Sequence, residues 1–120
     1  MLFQAAMTHY LAGAHDRAVE GLRSATGRDP RAPDAGFFLG VSLLLTKHTQ
    51  AGITELKRTI ALGDSPYLEE AHFYLAKGLL QVGDVNAASR ELRAMIALGG
   101  DRQRDAKQLL SQVERVRKER

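Results

Sequence analysis

The sequence has no cysteine and no tryptophan, and only three prolines, in 120 residues. Without cysteine there is no disulfide framework, no thiolate zinc site and no cysteine nucleophile. The apolar runs are short, the longest near Val41–Leu45, so no segment has the roughly 20 apolar residues of a spanning helix. Met1-Leu2-Phe3-Gln4 lacks the charged start and long apolar stretch of a secretory signal. These absences favour the cytoplasm without fixing the compartment. Hydrophobic residues make up 44% of the chain and charged residues 26%, too apolar a balance for a disordered segment. Long Ala/Leu/Arg/Glu/Gln stretches favour helix, and no strand-type alternation is convincing anywhere.

The formal charge of +3 is concentrated at one end. Residues 101–120 hold seven cations against four anions, while residues 1–100 hold ten of each. A nucleic-acid-binding protein would spread its cations over a face of the folded body, with aromatics for stacking. Here the excess lies in Arg115–Arg120, where the dipole of a last helix favours it. No nucleic-acid partner is expected.

The chain repeats itself. Shifting it by 36 positions lays residues 33–64 over residues 69–100 without a gap and gives twelve identities, among them Ala35/Ala71, Phe37/Phe73, Leu39/Leu75, Leu56/Leu92 and Gly63/Gly99. Phe3, Ala6, Gly13, Ala18 and Leu22 fit the same frame 70 positions before the last copy. Three units follow, about residues 1–32, 33–66 and 67–100. Each reads as two helices. In the third, Ser65-Pro66 is the expected start of the first helix, Gly83-Asp84 ends it and caps the second, and Gly99-Gly100 closes the unit. Asp101 is the expected cap of a seventh helix over about 101–118, whose stripe Ala106, Leu109, Leu110, Val113 and Val116 would cover the end of the stack.

The small residues carry the packing logic. Ala6, Gly40 and Ala76 fall in the middle of each first helix, and Ala18, Gly52 and Ala88 fall twelve residues later, early in each second helix. Glycine inside a helix costs about 1 kcal/mol relative to alanine. Its use at Gly40 and Gly52 predicts close approach of two antiparallel helices, with Leu39, Leu75, Leu56 and Leu92 filling the space around the contact.

Paired small residues, a large apolar residue four after the second, a Gly-Asp turn and a terminal proline resemble the tetratricopeptide repeat. The best stretch is Ala71-His72-Phe73-Tyr74-Leu75-Ala76, running on through Gly83-Asp84 to Ala88 and Leu92; the first unit adds Gly13, Ala18, Leu22, Ala25 and Pro30. Other paired-helix repeats, such as the Sel1-like type, share part of this pattern. The resemblance covers about residues 1–100 and implies an all-α fold, a right-handed α-solenoid of three antiparallel helix pairs plus a seventh capping helix. Met1 stands almost at the first helix, an arrangement also expected of a domain taken from a longer protein.

No catalytic constellation emerges. His9, His15, His48 and His72 fall at four different places in the repeat frame, and Glu69-x-x-His72 occurs once where a di-iron bundle needs two such motifs and two further glutamates. Glu69 and His72 read as a solvated glutamate and a surface histidine. Gly99-Gly100-Asp101 before a helix could hold an anion but lacks the lysine and the strand of a phosphate loop. No catalytic residue, metal ligand or cofactor is expected, nor direct insertion into a membrane.

What the resemblance implies instead is a binding groove on the concave face, lined by the first helices. Projected on the helical period, the groove residues are Phe3, Met7, Tyr10 and Leu11 of unit one, Phe37, Val41, Leu44 and Leu45 of unit two, and Phe73, Lys77, Leu80 and Gln81 of unit three. The helix Phe37–Leu45 is apolar nearly all round, so both its sides are expected to be covered. Its hairpin partner covers one side; neighbouring units or a bound segment cover the other. The expected function is a non-catalytic module that holds an apolar or amphipathic segment of a protein or peptide partner. The alternative is self-association as a homodimer, through the same groove or the C-terminal helix. A clamp for a terminal carboxylate is not expected, because Lys77 is the only cation among these positions.

Overall fold

A computed structural model describes residues 2–119 as seven helices: α1 (Leu2–Leu11), α2 (His15–Arg28), α3 (Pro33–Leu45), α4 (Thr49–Ala61), α5 (Leu68–Gln81), α6 (Val85–Leu98) and α7 (Gln103–Glu119). Met1 and Arg120 lie outside the described residues. No strand occurs among the described residues. Each helix packs on the next in chain order, and α3 also touches α5 directly. The result is an elongated right-handed solenoid of three helical hairpins and a terminal helix, 47 Å long and 27 × 22 Å across. The direct α3–α5 contact brings these two first helices side by side.

The three hairpin turns share one geometry. Gly13, Lys47 and Gly83 all have positive φ, at 81°, 67° and 81°. In each case the following residue donates its N–H back across the turn: Ala14 to His9 O, His48 to Leu43 O and Asp84 to Leu79 O, at 2.8, 2.8 and 2.9 Å. This is the Schellman closure, which satisfies carbonyls left over at the helix end and favours glycine at its left-handed position. Lys47 adopts that conformation without glycine's freedom.

Helix starts follow the sequence less uniformly. Asp84 caps α6, its carboxylate accepting from the Ala87 N–H at 3.1 Å. Ser65 does not cap a helix. Its hydroxyl accepts from Tyr67 N–H and its carbonyl from Leu68 N–H, so Ser65–Tyr67 form a turn and α5 starts at Leu68. At α7 the orphan N–H of Arg102 is met by Glu69 Oε2 of α5 at 3.1 Å, with no contact from Asp101. Gly100 lies against that carboxylate, and a Cβ there would collide with it.

Close approach centres on Gly40 and Gly52. A Cβ on Gly40 would lie 2.6 Å from Leu56 Cγ, and one on Gly52 would lie 2.8 Å from Leu44 Cδ2 and 3.0 Å from the Gly40 carbonyl oxygen. The backbones of α3 and α4 meet here with nothing between them. Ala6, Ala18, Ala76 and Ala88 are buried in the corresponding places of the other hairpins. A contact that sequence periodicity did not single out joins α1 to α2: a Cβ on Gly21 would come within 2.7 Å of the Ala6 Cβ.

Leu39 and Leu43 of α3 reach back into the first hairpin, packing with Ala6, Ala18 and Leu22. The larger cluster runs from Phe37, Ile53 and Leu56 through Leu75, Leu79 and Leu92 to Met95, Ala106 and Val113. Buried aliphatic side chains of this kind contribute about 1.5–3 kcal/mol each, which makes burial between hairpins the main source of stability.

Candidate functional site

The chain has four phenylalanines, three tyrosines and no tryptophan; six of the seven rings lie on the first helices and the seventh, Tyr67, stands in the turn that leads into α5. They form one connected network. Phe38 is its hub, 5.0 Å from Tyr10, 5.1 Å from Phe37, 5.6 Å from Tyr67 and 6.5 Å from Phe3 between ring centroids. Phe37 continues it by stacking on Tyr67 at 5.2 Å and meeting Tyr74 edge-on at 5.9 Å, and Tyr74 touches Phe73 at 6.1 Å. Most of these pairs have the tilted or edge-to-face geometry that aromatic quadrupoles favour. Phe37 and Phe73 are buried beneath the network, while Phe3, Tyr10, Phe38, Tyr67 and Tyr74 are half-buried and present ring area to solvent. Burial, and then Tyr74, raises the pKa of the Tyr10 phenol above its ordinary value.

The residues expected to line the groove divide into three groups. Phe37, Val41, Leu44 and Phe73 are covered by their own chain, with 2–7% exposure, and belong to the central cluster. Their expected exposure is corrected: α3 lies between α2, α4 and α5, and neighbouring hairpins cover the side its own partner leaves open. Phe3, Met7, Tyr10 and Leu80 are half-buried. Leu11, Leu45, Lys77 and Gln81 are exposed, the two leucines at 79% and 54%. The Thr49 hydroxyl donates to Gln81 Oε1 at 3.1 Å, tying α4 to the end of α5.

Phe38, Tyr67 and Tyr74 join this surface without having been singled out by the repeat frame. Their signal was composition: a chain with so few aromatics places every one on a first helix or, for Tyr67, in the turn that leads into one.

Lys77 is held over two rings, its ammonium 4.5 Å from the Phe73 centroid and 5.1 Å from that of Tyr74. Just before α7, the Arg102 guanidinium lies 4.4 Å from the Phe73 centroid. Arg102 also donates to Glu70 at 2.6 Å and to Asp105 at 3.2 Å. Burial would lower its pKa, but these carboxylates outweigh burial and hold it above the ordinary arginine value. Beyond this cluster, between the end of α5 and α7, opens an apolar cleft of about 220 Å³ lined by Leu80, Val85, Leu109, Gln112, Val113 and Val116.

The histidines do not converge. His15 packs edge-on against Tyr10, His48 Nδ1 is 3.0 Å from the Thr46 hydroxyl, and His72 Nδ1 is 2.8 Å from Glu91 Oε1. The reading of Glu69 and His72 as solvated surface groups is corrected, since Glu69 binds the start of α7 and His72 pairs with α6. The anion that meets Gly100 and Arg102 is thus the chain's own Glu69. Among the described residues, no three His, Asp or Glu side chains are grouped to hold a metal ion.

The fold is that of tetratricopeptide-repeat proteins. The Yersinia enterocolitica type III secretion chaperone SycD, in complex with a peptide of the translocator YopD, superposes with a TM-score of 0.87 over 97% of this chain and 92% of that one, at 16% identity. The first TPR of Spaghetti (RPAP3), bound to an HSP90 peptide, gives 0.86 over 96% and 89% at 13% identity. PcrH in complex with the chaperone-binding region of PopD gives 0.88 over 97% and 90% at 17% identity. No protein-family model matches the sequence. No curated protein matches it either.

Proposed function

We propose that this protein is a non-catalytic protein-interaction module whose first-helix face holds an apolar or amphipathic segment of a partner protein. The observation that carries the reading is the half-buried aromatic network of Phe3, Tyr10, Phe38, Tyr67 and Tyr74, with Leu11 and Leu45 exposed on the same first helices. Rigid rings supply contact area at low entropic cost, and a contiguous apolar surface rimmed by polar groups marks an interface. Support by analogy comes from SycD, the RPAP3 domain and PcrH, each of which has this fold and is bound to a peptide or region of another protein. Burial of Phe37, Val41, Leu44 and Phe73 makes them the floor that fixes the face, and the contact surface is the layer above.

The test is capture. Tagged protein incubated with extract of the cell that makes it should retain a partner, and Leu11→Glu combined with Leu45→Glu should abolish retention while helical circular dichroism is unchanged. Retention at the wild-type level by the double variant would overturn the assignment. Self-association through the same face is the second reading, since SycD is also described in an alternative dimer. Light scattering across a concentration series separates the two, a monomer at high micromolar concentration removing the dimer.

A further inference from the structure

Covering α6 explains one side of α7 and leaves the other unaccounted for. Ala106 and Val113 are buried against the stack, with Leu109 and Leu110 half-buried beside them. At about 100° per residue, Arg104, Lys107, Ser111, Arg115 and Lys118 fall within about 80° of one another on the opposite side, in a stripe about 21 Å long. All five are exposed. Arg104, Lys107 and Ser111 line one shallow depression along the helix, and Lys107, Ser111, Arg115 and Lys118 line the next. Among the described residues none of these four cations makes an ion pair. Two acids that flank the stripe are engaged, Asp105 by Arg102 and Glu114 by Arg93 and Arg117. Asp101, at the edge of the first depression, stands before the helix start. The helix dipole favours Arg115 and Lys118 near the C-terminus but opposes Arg104 in the first turn. Residues 1–100 carry no net charge, so the formal excess of the chain is on or beside this helix.

We propose that the outer stripe of α7 is a docking face for an anionic lipid surface, on which the protein rests by charge without inserting. The stripe shares no residue with the first-helix surface, and the proposal does not depend on the reading of that surface. Insertion is excluded by the packing: the apolar side of α7 is committed to the stack and the stripe itself holds no apolar side chain. A discrete protein partner is disfavoured for the same reason, since a lone helix surface without an aromatic or branched aliphatic side chain offers no anchor. Single-stranded nucleic acid is disfavoured because every ring lies on or just before a first helix, so no base can stack on this face. A fluid anionic surface needs neither anchor nor stacking. Its headgroups gather under the cations at whatever spacing the helix presents, and each Lys or Arg near such a surface strengthens binding about fivefold.

The experiment is flotation of the whole chain with lipid vesicles. Vesicles of phosphatidylcholine containing about one-third phosphatidylserine should carry the protein, and vesicles of phosphatidylcholine alone should not. Raising the salt to about 0.5 M should release it, because the screening length then falls to about 4 Å. Lys107→Ala combined with Arg115→Ala should weaken partitioning about twenty-five-fold. Lys57→Ala combined with Arg90→Ala removes the same charge from exposed, unpaired positions of α4 and α6 and should leave partitioning unchanged. All four substitutions are on exposed side chains, and circular dichroism checks that the helices persist. Equal losses in the two double variants would reduce the effect to net charge and overturn the proposal. So would equal binding to both kinds of vesicle, or binding that salt does not weaken. A short duplex DNA or a poly-glutamate peptide bound more tightly than the vesicles, at the same concentration of anionic groups, would also overturn it by giving the face to nucleic acid or to an acidic protein.

Discussion

Leu39 and Leu43 of α3 pack onto the first hairpin, and Leu75 and Leu79 of α5 lie in the cluster with Ile53 and Leu56; the matching positions of α1 are Ala5 and His9. Ala5 is exposed and His9 half-buried. The outward side of α1 thus lacks the leucine pair with which the inner helices grip the hairpin before them. At the other end the apolar side of α6 is present in full, with Leu92 and Met95 buried, and a whole helix covers it through Ala106 and Val113. That helix is also fastened by polar contacts, Glu69 and Glu70 with Arg102 and Arg93 with Glu114. One end is made polar by composition and the other is covered by an added element. Within this stack of near-identical hairpins, the same position is leucine where a preceding described hairpin packs on it and alanine or histidine on α1.

Substitutions sharpen that contrast. The largest effect is expected inside the stack: Gly40→Leu forces a side chain into Leu56 and should cost about 3 kcal/mol or more, measured as a collapse of the urea midpoint. Leu43→Ala should cost about 2–5 kcal/mol as a buried cavity, whereas His9→Ala at the matching place on α1 should fall within about 0.5 kcal/mol of the parent. Equal losses at the two positions would erase the distinction between inner and outer helices. Arg102→Ala should lower stability by about 1 kcal/mol and speed amide exchange in α7 ahead of α1–α6. Lys47→Gly should give the smallest change and the only gain, about 0.5–1 kcal/mol, by relieving a left-handed residue where Gly13 and Gly83 already stand.

The repeat, the helix pairs and the terminal helix were legible because they depend on periodicity and on glycine at turns, which a single chain displays directly. Contacts between distant segments were not. Asp101 looks like a cap from its neighbours in sequence, yet the group that meets Arg102 is Glu69, more than thirty residues earlier. The burial of Phe37, Val41, Leu44 and Phe73 was not legible for a related reason. A first helix in a solenoid touches its own partner, the hairpin before it and the first helix after it, so its apolar positions at helical spacing serve several neighbours at once. Periodicity places Phe37 and Phe38 on adjacent faces of α3 but cannot say that Phe37 is buried against Tyr67 while Phe38 keeps an open edge.

Because tryptophan is absent and the three tyrosines are Tyr10, Tyr67 and Tyr74, every tyrosine ring of the protein reports on the proposed face. The most direct test is therefore the tyrosine ring region of a carbon–proton correlation spectrum, recorded on labelled protein before and after addition of the captured partner. Binding across the first-helix face should shift all three rings. Three unmoved rings, with shifts confined to α2, α4 and α6, would contradict the account.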